Sequence, residues 1–139
     1  MSEMTAQIQW LKNDDINFKT TSGSGHDVVV DSKQTLGARP MELILMGLGG
    51  CASYDVVSIL QKGRQAISDV RCELTATRAD SIPAVFTEIH LHFVVTGSDV
   101  KEVQVKKAIE LSAEKYCSAS KMLSAGGVTI THDYEIIAQ

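Results

Sequence analysis

The chain predicts an α+β fold, and three observations predict it. Several segments alternate apolar and polar residues with the period of a half-buried strand. The stretch Pro40 to Lys62 is apolar almost all round, as the buried helical axis of a domain would be. A second stretch, from Asp99 onward, carries apolar residues at helical spacing with charge on the opposite face. At 139 residues with 44% hydrophobic side chains, the chain is expected to form a single domain, residues 1–139, with a modest core.

The elements follow in order. Thr5 to Lys12 alternates in character, and the polar turn Asn13-Asp14-Asp15 leads into Ile16 to Thr21, which predicts a hairpin. Gly23-Ser24-Gly25 makes another turn before Asp27 to Asp31, whose three valines favour a strand, and Ser32 to Arg39 reads as a loop. Pro40 has a preset φ and no N–H to lose, Glu42 suits the positive end of the helix dipole, and Gly63 ends a helix running to Lys62. Strands are expected at about Asp69 to Asp80 and Thr87 to Thr96, joined by a link containing Pro83. The second helix is expected to run from Asp99 through Cys117 to the break at Gly126-Gly127, and Val128 to Ala138 reads as a final strand.

Gly47, Gly49 and Gly50 lie inside the first helix, where each costs roughly 1 kcal/mol relative to alanine at an exposed position. A packing reason is therefore expected, namely close approach of the second helix or of another subunit.

The net charge of −4, from 13 basic and 17 acidic side chains without a Lys or Arg cluster, leaves no footprint for nucleic acid or an anionic membrane. Small or uncharged partners are expected instead. The uncharged run Leu43 to Tyr54 is too short to cross a bilayer, and Met1 to Lys12 lacks a basic segment followed by an apolar one, so a cytoplasmic location is expected. Three cysteines without a secretion signal point to free thiols, open to metal, redox or packing roles.

Two of those cysteines, Cys51 and Cys117, fall within the two helical stretches. Thiols on rigid elements far apart in sequence suit reversible disulfide chemistry, because an attacking and a resolving sulfur must meet once the first is oxidised. Cys72, on a strand, reads as a packing residue, and Lys121, one turn after Cys117, either lowers that thiol's pKa or is a surface lysine. His90-Leu91-His92 sets two imidazoles on one strand face, but a metal site needs further ligands from His26, His132, an acid or a thiol, which no spacing supplies. No metal and no cofactor are expected. Gly47 to Gly50 lies inside a helix, not at its start, so it is no phosphate loop, and the serines near Cys117 lack a base for a hydrolytic triad.

Pro40-Met41-Glu42-Leu43 and Gly49-Gly50-Cys51-Ala52, followed by Tyr116-Cys117-Ser118-Ala119-Ser120-Lys121, resemble the OsmC/Ohr family, within a less characterised branch. The resemblance implies antiparallel sheets wrapped around two long central helices in an intertwined homodimer. It also implies a thiol peroxidase in which Cys51 attacks an organic or inorganic hydroperoxide and Cys117 resolves the sulfenic acid. A dithiol reductant, a lipoylated protein in some relatives, would then reopen the disulfide. Better-known members use an Arg from the first hairpin turn and a Glu directly after the proline. Here those places hold Lys12-Asn13-Asp14-Asp15 and Met41, so Arg39 and Glu42 become the candidates for the cation that activates Cys51 and for its orienting acid. The alternative is a non-catalytic, stress-associated or small-molecule-binding member whose cysteines line a pocket.

Overall fold

The computed structural model describes residues 2–139, which fall into two compact units, one ending at Ile44 and the other spanning Leu45–Gln139. The first unit is an antiparallel meander of β1 (Ala6–Trp10), β2 (Asn17–Ser22) and β3 (Asp27–Asp31), in that order, with Trp10 opposite Phe18 and Phe18 opposite Val30. The loop after β3 is organised by one buried side chain. Asp31 accepts the amides of Lys33 and Leu36 and the hydroxyl of Thr35, and these donors hold its carboxyl down at about 2.

Helix α1 runs over Pro40–Lys62, the limits that its proline and glycine punctuation predicts. Its start is secured by Glu42, whose carboxylate accepts the backbone N–H of Arg39, the reciprocal half of a capping box. Over its full length α1 has the length and composition of a membrane-crossing helix, with a mean hydropathy of 1.7 in its most apolar window, which the shorter run Leu43 to Tyr54 did not suggest. Core helices of soluble proteins pass the same measure, and the side chains of Leu48, Ala52, Val56 and Leu60, four residues apart, are buried.

The second unit adds β4 (Ala66–Arg78), β5 (Phe86–Ser98), α2 (Glu102–Leu111), a π-helical turn (Ser112–Tyr116), α3 (Ser118–Ala125) and β6 (Thr129–Ala138). Its sheet has the order β4-β5-β6, with β4 antiparallel to β5 and β5 parallel to β6. The sheet is thus mixed, where antiparallel sheets were expected. The physical reason is the helical return between β5 and β6, which carries the chain back so that the last strand runs beside its predecessor in the same direction. Ile89, Leu91, Phe93 and Val95 of β5, with Val105, Ala108 and Ile109 of α2 and the buried stripe of α1, make the core.

The glycines of α1 divide. A Cβ on Gly49 would lie 2.8 Å from Cδ1 of Leu74, so the close neighbour within the chain is strand β4 and not the second helix, while Gly47 and Gly50 face open space. The second long helix is also corrected: the chain leaves α-helical geometry at Ser112 and resumes it at Ser118.

Candidate functional site

That interruption sets the position of Cys117. Its backbone N–H donates to the Ser112 carbonyl five residues back, at 2.8 Å, closing the π turn, and its own backbone is extended (φ −79°, ψ 104°). Cys117 is therefore the N-cap of α3 and no longer an interior helical residue. Its sulfur accepts the backbone N–H of Ser120 at 3.4 Å, a thiol in the place where serine or aspartate usually satisfies an orphan amide.

Cys51, in the middle of α1, is partly exposed, and its thiol lies near enough to Cys117 to help raise that thiol's pKa. Both are free thiols. The Cys117 side is sealed, with 2% of the residue exposed. Burial, above all, pushes the Cys117 thiol up to about 11; the Ser120 amide pulls the other way, and Cys51 and the Asp55 carboxylate add to the rise. The arrangement pairs an accessible sulfur with an enclosed one that stays protonated at neutral pH, which is the geometry a two-step oxidation and closure requires.

Two residues that the sequence reading did not single out complete this site. Ser112, 2% exposed, donates its hydroxyl to Oδ2 of Asp55 at 2.9 Å and, more weakly, to the Ala52 carbonyl at 3.4 Å. Asp55 follows Cys51 by one helical turn, a spacing that places both on one face of α1. That spacing was the available signal. A lone acid in an apolar run reads more simply as a solvated charge.

Arg39 and Glu42 form a network of their own. Besides capping the helix, Glu42 accepts the Gln34 side-chain amide at 2.8 Å, and these donors lower its pKa, the Arg39 N–H most of all. The Arg39 guanidinium donates through Nε to the Ser32 carbonyl at 3.1 Å. Lys121 is exposed on α3, and among the described residues its side chain makes no hydrogen bond or ion pair. Cys72 is half-buried; burial raises its pKa, opposed by a hydrogen bond with the Ser53 side chain. His90 Nε2 and His92 Nδ1 meet a single oxygen of Asp133 at 2.8 and 2.7 Å, and among the described residues no group of three or more His, Cys, Asp or Glu is arranged to hold a metal ion.

A family model described as "OsmC-like protein" matches residues 31–133. Protein YhfA of Escherichia coli K12 is 47% identical over 136 residues, covering 97% of this chain and 99% of YhfA. A hypothetical protein of Aquifex aeolicus VF5 superposes with a TM-score of 0.88 at 28% identity, over 100% of this chain and 99% of that one. An organic hydroperoxide resistance protein, OsmC, from Legionella pneumophila shares the fold with a TM-score of 0.70 at 13% identity, over 97% and 98% of the two chains.

Proposed function

The chain belongs to the OsmC-like protein family, and from that membership and its paired thiols we propose that it is a thiol-dependent reductase of organic or inorganic hydroperoxides. What supports this reading most is the nearness of partly exposed Cys51 to enclosed Cys117. The Cys51 thiolate attacks the terminal oxygen of the hydroperoxide, the O–O bond breaks, the alcohol leaves with a proton, and Cys51 becomes a sulfenic acid. Cys117 then displaces water to close the disulfide, and a dithiol, such as a lipoylated protein, restores both thiols by exchange. Arg39 is the proposed activating cation and Glu42 its anchor, a role compatible with the capping bond that Glu42 makes. The working form is proposed to be a homodimer in the cytoplasm, where reducing pools keep Cys51, Cys72 and Cys117 free.

The test is to add cumene hydroperoxide to the fully reduced protein while counting free thiols and peroxide consumed. Loss of two thiols per chain with turnover supports the reading. Cys51→Ser should abolish consumption, and Cys117→Ser should leave a sulfenic acid that dimedone traps. A Cys51 that does not react with peroxide would instead favour the binding protein without turnover.

A further inference from the structure

The π turn does more than deliver Cys117 to Cys51. Ser112 supplies two bonds at once: its carbonyl closes the turn through the Cys117 N–H, and its hydroxyl reaches across to Asp55 on α1. The elements bearing the two sulfurs are thereby tied together one turn beyond Cys51. Ser112 is buried, and its hydroxyl has no solvent to exchange with, so this link is fixed by the packing around it. Asp55 itself is half-buried and lines a cavity of about 350 Å³ shared with Tyr54, Lys62 and Tyr116. Its carboxylate brings a negative charge into the neighbourhood of both thiols.

We propose that Asp55 is a positioning residue for the thiol pair. Through Ser112 it holds the turn that presents Cys117 to Cys51. The inference rests on the reading of Cys51 and Cys117 as a redox pair and adds to it the link that holds the resolving sulfur in place. At closure the Cys117 S–H gives up its proton, its sulfur bonds to the Cys51 sulfenic sulfur, the S–O bond breaks, and the oxygen departs as water carrying the sulfenic hydrogen and one proton. The hydroperoxide is the oxidant for the whole sequence. Burial, above all, pushes the Cys117 pKa up, and the Asp55 charge adds the smallest part of the rise, in keeping with a carboxylate close to that sulfur. The other titratable groups on the cavity that Asp55 lines are Tyr54 and Lys62 on α1 and Tyr116 on the π turn, while Cys51 acts on Cys117 directly.

The experiment uses the full chain with Asp55→Asn, Asp55→Glu and Ser112→Ala. Asparagine keeps an acceptor for Ser112 while removing the charge. The titration of Cys117, read from its 13Cβ NMR signal in reduced protein, should move to lower pH in Asp55→Asn and return toward the original midpoint in Asp55→Glu. After one equivalent of cumene hydroperoxide, the pH profile of disulfide closure should shift in the same direction. Ser112→Ala should slow closure by roughly 10- to 100-fold, with a longer-lived dimedone-reactive Cys51, as expected when reacting atoms are no longer held in line. Circular dichroism establishes that each variant is folded. Unchanged closure in a folded Ser112→Ala protein overturns the proposal. If the titration moves and yet no sulfenic acid ever forms in the unmodified protein, Asp55's hold on Cys117 is upheld and the peroxidase reading is the one that falls.

Discussion

Asp31 and His92 illustrate how single side chains here are governed by their donors and acceptors. Asp31 has 1% exposure, and its carboxyl is held near 2 against an ordinary 3.8 because backbone amides point at it. A depressed acid contributes stability that is complete above its unfolded pKa and is lost as pH falls through the folded one. The loop after β3 should accordingly loosen between about pH 4 and pH 2. Carboxyl NMR should find Asp31 titrating in the lower part of that range, and Asp31→Asn should flatten the acid dependence of stability there. His92 is the opposite case. The hydrogen bond it donates to Asp133 raises its pKa, so its contribution is full below the unfolded value of 6.5 and fades as pH climbs past the folded one. Asp133, lowered by the same two imidazoles, needs its carboxylate charged, so the pair is strongest between the two titrations. Asp133→Asn should bring the His92 midpoint down, visible in its imidazole Cε1 proton shift.

At the level of elements, α1 carries the largest packing debt. Leu48 is 0% exposed on its buried stripe, and Leu48→Ala should cost about 2–5 kcal/mol, measured as a fall in the urea midpoint of unfolding. The limits of α1 and β3 were legible because Pro40, Gly63, the turn at Gly23–Gly25 and the valine run mark them directly. The split of the second helix was not, since Ala113, Tyr116 and Cys117 continue the helical spacing through the place where the hydrogen bonding changes from i−4 to i−5. The parallel pairing of β5 and β6 was hidden for a different reason: alternation along a strand says which face is buried and nothing about its partner's direction. Of the site, the two sulfurs were readable as a pair, whereas Ser112 and Asp55 were not, because a hydrogen bond between residues 57 positions apart leaves no periodic trace. Glu42 was read from its position in the first turn; the bond back to Arg39 is a contact that only coordinates supply.

For the molecule as a whole, the apolar surface of α1 is incompletely used. Only 28% of its most apolar window is buried, Met46 is 58% exposed and Tyr54 74%, and Gly47 and Gly50 face open space. Such a face is costly in water and suits a second copy, whose backbone can come close where side chains are absent. Sedimentation should therefore show a dimer, and Gly50→Arg should convert it to monomer by placing a charged side chain in that seam. A stable monomer from the unaltered chain would remove the dimer from the account. The enclosure of Cys117 has one more consequence. With its neighbour at position 51 replaced by serine and Cys72 by alanine, the remaining sulfur can meet iodoacetamide only during excursions that expose the inside of the protein. Its labelling rate then becomes a clock for those excursions, and urea should speed it in step with the loss of folded protein.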